Sequence, residues 1–379
     1  MQSVCVCETN KMTTYEISKK TRIVFALSGL QGGGSERMVS RLANAFVTLG
    51  IRVDIILLFD AVHIDYEIDK RIRIFDFGFP FLRGRVRKKI RQIFAIRDYI
   101  RNNHPNLIFC YSYTMLPYFV LANVGLHCGC KIVGSQRANP KVFSAYYRFI
   151  SFFFLLACDG FVFQTVKMMK CYPIWLQKKS VVIGNIALVI QETEKQIVEN
   201  AVCSVGRLHT DKDYATLLRA FAQVLQSVPN ASLHIYGDGP LKEDLQRMTV
   251  TLRIFQHVIF EGFSKTVEHE LRKYTIFAFS SKAEGMPNAL MEAMAAGLAC
   301  VATDCDFGPA ELIEDGVNGY LVPVGDADRM AERLVYLLRD GKKRNEIQRN
   351  ACKISDTFAE EKIINAYLDY VKKVCGEVK

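Results

Sequence analysis

Two glutamates, Glu284 and Glu292, stand eight residues apart in the run SKAEGMPNALMEAMAAGLACVATDCDFGPAE, residues 281–311, with Gly285, Met286, Pro287 and Asn288 directly after the first of them. Pro287 and Asn288 are helix-start signals and Gly297 a stop signal, which predicts a helix of about ten residues that carries Glu292. A loop that feeds a helix N-terminus presents unpaired backbone N–H groups and the positive end of the helix dipole, a ready site for a phosphate. Two carboxylates beside an anion pocket have a purpose when the ligand also offers hydroxyls. A nucleotide-sugar supplies both, a diphosphate for the amides and sugar and ribose hydroxyls for the glutamates. A purely structural account uses the same residues: Ala293, Ala295, Ala296 and Gly297 would let a helix lie close on a sheet, and carboxylates near helix starts are often caps. Spacing alone leaves both accounts open.

The stretch resembles the Glu-x7-Glu motif of the retaining GT-B glycosyltransferases of family 4, and the likeness runs from about residue 22 to about residue 370. The resemblance implies roles for named positions. Glu284 would hold hydroxyls of the transferred sugar and Glu292 the ribose diol, while Gly285, Met286, Pro287 and Asn288 would form the cradle for the diphosphate. Val205-Gly206-Arg207-Leu208 followed by Lys212 matches the family's cation pair. A departing diphosphate gains negative charge, and a guanidinium and an ammonium aimed into the cleft would neutralise it without a metal. Asp304-Cys305-Asp306 is not the acidic motif of the metal-dependent fold, so no metal or other cofactor is expected. The loop Gly32–Arg37 lacks the spacing of a dinucleotide fingerprint but resembles the family's GGxER loop, which makes Gly33 and Gly34 donor contacts. Glu36 and Arg37 are open to a structural reading as a cap and an ion pair. Gly237, in Tyr236-Gly237-Asp238-Gly239-Pro240, is either a neighbour of the nucleotide base or simply a turn residue. Family members often carry a histidine at the end of a first-domain strand. Here the sequence reads Ser135-Gln136-Arg137-Ala138-Asn139-Pro140, and Arg137 becomes the acceptor-side candidate.

The elements that must position these residues are legible as apolar runs. Ile23–Leu27 is a strand, followed by the glycine loop, a helix to about Gly50, and a second strand over Val53–Phe59. That opening is the start of a doubly wound α/β unit. Leu107–Tyr111, Lys131–Ser135 and Gly160–Gln164 continue it. The pattern restarts at Ala201–Val205, with a helix over Tyr214–Val228 and strands at Ser232–Tyr236, His257–Glu261, Ile276–Ser280, Ala299–Ala302 and Gly319–Val322. Two Rossmann-like α/β domains facing across a cleft are the GT-B plan. The expected division is a loose extension over 1–20, a first domain over 21–190, a polar linker over 191–199, a nucleotide-sugar domain over 200–355, and a closing segment over 356–379 that crosses back to the first domain. At 379 residues the chain is too long for one ordinary core, which agrees with two domains.

Charge is divided between the halves. The net charge is +10, yet residues 1–190 carry 26 Lys+Arg against 11 Asp+Glu, while residues 191–379 carry 23 against 28. The densest basic stretch, Arg83–Arg101, holds Arg85, Arg87, Lys88, Lys89, Arg91, Arg97 and one acid, Asp98, with Ile90, Ile93, Phe94, Ile96 and Ile100 interleaved. A basic amphipathic helix reads as a membrane-surface element facing anionic lipid, in preference to a solvated helix or a nucleic-acid contact. The apolar run Phe149–Cys158 is too short for a span of about 20 residues and is expected to be a core or interfacial helix. The start of the chain lacks a secretory apolar segment, and twelve cysteines without metal-ligand spacing suit a reducing cytosol. The expectation is a cytoplasmic enzyme, peripheral at the inner face of the cell membrane. It would be a metal-independent hexosyltransferase that moves a hexose or N-acetylhexosamine from a UDP-sugar to a polyprenyl-diphosphate-linked glycan in O-antigen, capsule or exopolysaccharide assembly. No nucleic-acid partner is expected. Two other classes share the plan, a GT-B nucleotide-sugar epimerase and a non-catalytic nucleotide-binding protein. The basic helix and the glutamate spacing argue against the first, and the joint presence of Arg207, Lys212, Glu284 and Glu292 against the second.

Overall fold

The computed structural model describes residues 21–31, 33–59, 64–79, 84–137, 139, 145–187 and 197–376, with backbone alone for 145–150. The expected extension over 1–20, most of the expected linker, and Gly32, Arg83, Ala138 and Pro140 lie outside the described residues.

The first half runs β1 (Arg22–Leu27), α1 (Gly34–Thr48), β2 (Arg52–Leu57), β3 (Arg73–Asp76), α2 (Arg85–Asn103), β4 (Leu107–Cys110), α3 (Leu116–Asn123), β5 (Lys131–Gln136), α4 (Ala145–Ala157), β6 (Gly160–Phe163), α5 (Val166–Met169), α6 (Ile174–Lys178) and β7 (Ser180–Val182). Its strands form one sheet in the order β3-β2-β1-β4-β5-β6-β7, every pairing parallel. The second half runs β8 (Ala201–Val205), α7 (Tyr214–Ser227), β9 (Ser232–Tyr236), α8 (Lys242–Thr251), β10 (Val258–Gly262), α9 (Val267–Leu271), β11 (Ile276–Phe279), α10 (Asn288–Ala295), β12 (Ala299–Thr303), α11 (Pro309–Leu312), β13 (Tyr320–Val322), α12 (Ala327–Arg339), α13 (Gly341–Ala351), α14 (Ile354–Thr357) and α15 (Glu360–Cys375). Its sheet, also all parallel, has the order β10-β9-β8-β11-β12-β13. These are the two Rossmann-like halves expected from the apolar runs. Strands buried on both faces read as continuous apolar segments, which is why they stand out.

Each sheet reverses its strand order beside its first strand, at β1/β4 and at β8/β11. Ligands of doubly wound sheets bind outside the carboxyl ends of the strands at that reversal. The glycine loop leaves β1 there, and the Arg207–Lys212 segment leaves β8 there.

The closing helix α15 lies on the first sheet. Ile363, Tyr367, Leu368, Tyr370 and Val371 are buried in the same cluster as Phe25, Phe109 and Val162. The Tyr370 hydroxyl accepts from the Phe161 amide at 2.7 Å and donates to the Lys179 carbonyl at 2.7 Å, tying the helix to β6 and the residue before β7.

The basic helix α2 forms as expected, but its apolar residues divide. Ile96 and Ile100 are fully buried with Tyr99, and Ile93 packs beside them, so these belong to the core and not to an outer face. Gln92 is buried too, its amide donating to the carbonyls of Leu58 and Phe77. Val86, Ile90 and Phe94 are exposed. The Arg97 guanidinium donates to the carbonyls of Ala122 and Val124 at the end of α3, a structural contact. The apolar run Phe149–Cys158 lies within and just after α4: Leu155 and Cys158 are buried, while Phe153 and Leu156 are more than half exposed.

Candidate functional site

The predicted helix is α10, and Pro287 is its N-cap. Having no N–H, Pro287 contributes a fixed φ to the loop and no donor. Its φ of −77° starts the helix without a side-chain cap, so the first amides of α10 are open to a ligand. Glu292, one turn into α10, is 5% exposed. Its carboxylate pairs with the guanidinium of Arg37, which reaches over from the first turn of α1. Arg37 also lies 3.8 Å from Glu268. Glu284 pairs with Lys212, the ammonium 2.5 Å from a carboxylate oxygen. The Lys212 carbonyl accepts from the Ser280 hydroxyl at 2.8 Å, which fixes the turn after β8 on the end of β11. Arg207 is exposed at the mouth of the same sheet. The structure therefore pairs Glu284 with Lys212 just before α10 and Glu292 with Arg37 one turn into it, while Arg207 is exposed on the segment after β8.

The two halves approach closely at this cleft at two glycines. A Cβ on Gly34 would stand 2.2 Å from the Asn288 amide nitrogen, and one on Gly285 would stand 2.3 Å from the Arg137 carbonyl. Glycine is what lets each half approach the other so closely. Gly33 accepts at its carbonyl from the Tyr66 hydroxyl at 2.8 Å. Gly237 lies against the Gly206 carbonyl, 2.0 Å from where a Cβ would be, which gives that glycine a backbone reason. Met286 is buried, and its sulfur accepts from the Asn185 amide at 3.3 Å.

Asn185 was not among the residues picked from sequence. Its side chain donates to Asn288 Oδ1 at 2.5 Å and accepts from Arg137 at 2.9 Å, linking the first residue of α10 to the residue after β5. Only its place just beyond the last strand of the first sheet could have flagged it. Glu311, at the end of the 281–311 run, accepts from the amides of Val166 and Lys167 at 3.2 and 3.0 Å, two further bonds between the halves.

Arg137 is held on all sides. It donates to Ser135 Oγ at 3.0 Å, to Asn185 Oδ1 at 2.9 Å and to the Tyr367 hydroxyl, and it lies over the Tyr111 ring at 4.4 Å. The Tyr111 and Tyr367 hydroxyls meet at 2.8 Å. Arg137 also lines a cavity of about 240 Å³ in the first half, with Ser28, Ser35, Glu36, Tyr113 and Gln136. Burial pushes the Glu36 carboxyl up from its ordinary range, against a bond from its own amide.

Arg85, Arg87, Lys89 and Arg91 are exposed on α2, and Lys88 is half-buried. Arg91 lies over the Phe79 ring at 5.8 Å. Among the described residues, no cluster of three His, Cys, Asp or Glu is placed to hold a metal ion, and no helix is long and apolar enough to cross a membrane.

Comparison with known proteins agrees with this architecture. The family model described as glycosyl transferases group 1 matches residues 188–354, and that described as glycosyltransferase family 4 matches residues 32–170. A Campylobacter jejuni N-acetylgalactosamine-N,N'-diacetylbacillosaminyl-diphospho-undecaprenol 4-alpha-N-acetylgalactosaminyltransferase is 34% identical over 170 residues, 45% of this chain and 46% of that protein. The match thus spans less than half of that relative. A second C. jejuni protein, which adds alpha-1,4-linked N-acetylgalactosamine to a GalNAc-GalNAc-diNAcBac-PP-undecaprenol, is 24% identical over 93% of this chain and 99% of its own length. Anabaena HepE, solved in complex with UDP-glucose, superposes with a TM-score of 0.77 at 18% identity, covering 93% of this chain and 99% of its own.

Proposed function

We propose, for a chain that belongs to the glycosyl transferases group 1 and glycosyltransferase family 4 and has the GT-B fold, that it transfers a hexose or N-acetylhexosamine from a UDP-sugar to a polyprenyl-diphosphate-linked glycan with retention of anomeric configuration. The observation that carries this reading is the convergence of Glu284, Glu292 and Lys212 on the open N-terminus of α10, with the glycine loop of the other half directly opposite.

Each part has a physical task. The first amides of α10 and its dipole hold the diphosphate. Lys212 and Arg207 oppose the charge that grows on the leaving diphosphate, so the reaction runs without a metal. Glu284 holds sugar hydroxyls, and Glu292 takes the ribose diol with both oxygens. For the new bond to form on the face the diphosphate leaves, a donor phosphate oxygen accepts the acceptor proton. The relatives' lipid-linked acceptors support an acceptor of that class.

Such an acceptor sits in a membrane, and the first half has a surface suited to one. Arg85, Arg87, Lys89 and Arg91 surround the exposed Val86, Ile90 and Phe94, and Phe153, Leu156 and Ile174 are exposed on α4 and α6. Cations with apolar side chains between them favour an anionic interface. This surface, with the relatives' lipid-linked acceptors, supports work at the inner face of the cell membrane in assembly of a cell-surface polysaccharide.

The test is a panel of UDP-sugars incubated with undecaprenyl-diphosphate-linked glycans and EDTA, with products read by mass and anomeric linkage by NMR. A mass increment of one sugar, α-linked from an α-linked donor, is the expected result. Inverted linkage, loss of activity in EDTA, or interconversion of UDP-sugars without an acceptor would overturn it.

A further inference from the structure

Arg37 stands between two carboxylates of the second half. One guanidinium nitrogen, Nη2, bonds Glu292 on α10, and the other, Nη1, lies 3.8 Å from Oε2 of Glu268 on α9. The first contact is a made bond. The second is an ion-pair distance, too long for a hydrogen bond of about 2.9 Å. Glu268 Oε2 is shielded from solvent and, among the described residues, accepts no hydrogen bond. A buried carboxylate oxygen without a donor is costly, and folded proteins keep few of them. Arg41, one turn further along α1, lines the same narrow cleft as Arg37. Burial holds its guanidinium below the ordinary range and Arg37 lowers it further, while Glu360 and Glu268 oppose the shift. Two cations on one face of α1 therefore act on the Glu268 carboxylate.

We propose that Glu268 is a positioning residue that receives Arg37 when a nucleotide ribose takes Glu292. The proposal rests on the assignment of Glu292 to the ribose diol above, and it adds the residue that lets the ribose in. A shift of Nη1 by about 1 Å completes its bond to Glu268 and draws the guanidinium off Glu292. Arg37 stays tied to the second half throughout, since α9 and α10 both belong to it. The consequence lies in the first half. The Arg37 amide donates to the Gly33 carbonyl at 3.0 Å, so the first turn of α1 carries the glycine loop with it. Passing Arg37 from one carboxylate to the other keeps that loop opposite the α10 N-terminus while the donor binds. The exchange is uneven. The Glu268 side chain is 19% exposed and that of Glu292 6%, and solvent screens the more exposed pair more strongly. Arg37 leaves a stronger partner for a weaker one, and Glu268 offsets part of what its displacement costs.

The experiment measures UDP binding by calorimetry on the full chain, on Glu268→Gln, on Arg37→Met and on the double variant. Glutamine keeps the shape of the Glu268 side chain but offers Arg37 no charge to pair with. We expect Glu268→Gln to weaken UDP binding by about threefold, the scale of a partly exposed ion pair. The same change in the Arg37→Met background should cause no loss, because no guanidinium remains to be received. A second ligand, 2′,3′-dideoxy-UDP, lacks the hydroxyls that would claim Glu292, and Glu268→Gln should leave its affinity within about 1.5-fold. A role in the fold alone would affect both ligands equally and would persist without Arg37. Unchanged UDP affinity in Glu268→Gln, the same loss in both Arg37 backgrounds, or the same loss for both ligands would each overturn the proposal. Glu292→Gln tests the ribose assignment by itself. UDP affinity equal to the parent's in that variant, or no UDP binding by the parent, overturns the assignment and the proposal with it. A loss in Glu292→Gln together with any of the three outcomes above overturns the proposal alone.

Discussion

Arg37 of the first half occupies the carboxylate of Glu292 in the second. They are 255 positions apart, and the bond spans the cleft in which a nucleotide would lie. With room for about one water beside them, a ribose cannot reach Glu292 unless Arg37 gives way. On the proposed reading, the guanidinium competes with the ribose hydroxyls for this carboxylate. A part-buried pair of this kind contributes about 1 kcal/mol. Replacing Arg37 by Met should therefore tighten UDP binding by roughly fivefold, read by calorimetry on the protein alone. If UDP binds more weakly to the variant, Arg37 holds the nucleotide and does not compete with it.

Arg207→Ala and Lys212→Ala should each lower the transfer rate by about 10²–10³, the size seen when one preorganised electrostatic contact is lost. Lys212→Ala has a further effect, since it also removes the partner of Glu284. Sugar discrimination should then fall in Lys212→Ala and hold in Arg207→Ala. A loss under about threefold in both variants would exclude a diphosphate clamp made by these two cations.

The two glutamates should separate by readout. Glu292→Gln is expected to weaken UDP binding, because the ribose loses charge-assisted bonds worth about 1.5–3 kcal/mol. Glu284→Gln is expected to leave UDP binding near the parent value and to reduce turnover. Titration of UDP into both variants, followed by initial rates at saturating donor, distinguishes them. Equal UDP affinity in Glu292→Gln and the parent would remove the ribose role.

Serine at Arg85, Arg87, Lys88 and Lys89 removes four cations, on the order of 4 kcal/mol of attraction to an anionic surface. Co-sedimentation with anionic liposomes should drop sharply and UDP binding should not change. High salt should have the same effect on the parent, since the screening length shrinks from about 10 Å at 0.1 M to about 3 Å at 1 M. Serine at Ile90 and Phe94 should also release the protein, now without a salt dependence, because these side chains are exposed among the cations. Full retention on liposomes by both variants would make α2 a solvated face.

The strands of both sheets were legible because burial on two faces makes each an uninterrupted apolar run, as in Ile23–Leu27 and Ala299–Ala302. β3 and β7 were missed for the converse reason. They are edge strands of four and three residues, and Arg73 and Asp76 interrupt the apolar pattern of the first. In α2 the sequence carried the helix and its charge but not which apolar residues face inward. Ile96 and Ile100 share the helix with Ile90 and Phe94, and only the position of the sheet beneath decides which are buried.

The same division holds at the site. Chemistry written in local spacing, a glycine loop after a strand or two glutamates around a helix start, depends on contacts within one turn or one loop, and sequence alone determined it. Arg37 on Glu292, Asn185 on Asn288, Glu311 on the amides of Val166 and Lys167, and Tyr367 on Arg137 join residues more than a hundred positions apart. No local pattern encodes such pairs. They exist because two sheets, each folded by its own apolar strands, are brought face to face at their carboxyl ends and locked by a closing helix, and that geometry is a property of the tertiary structure.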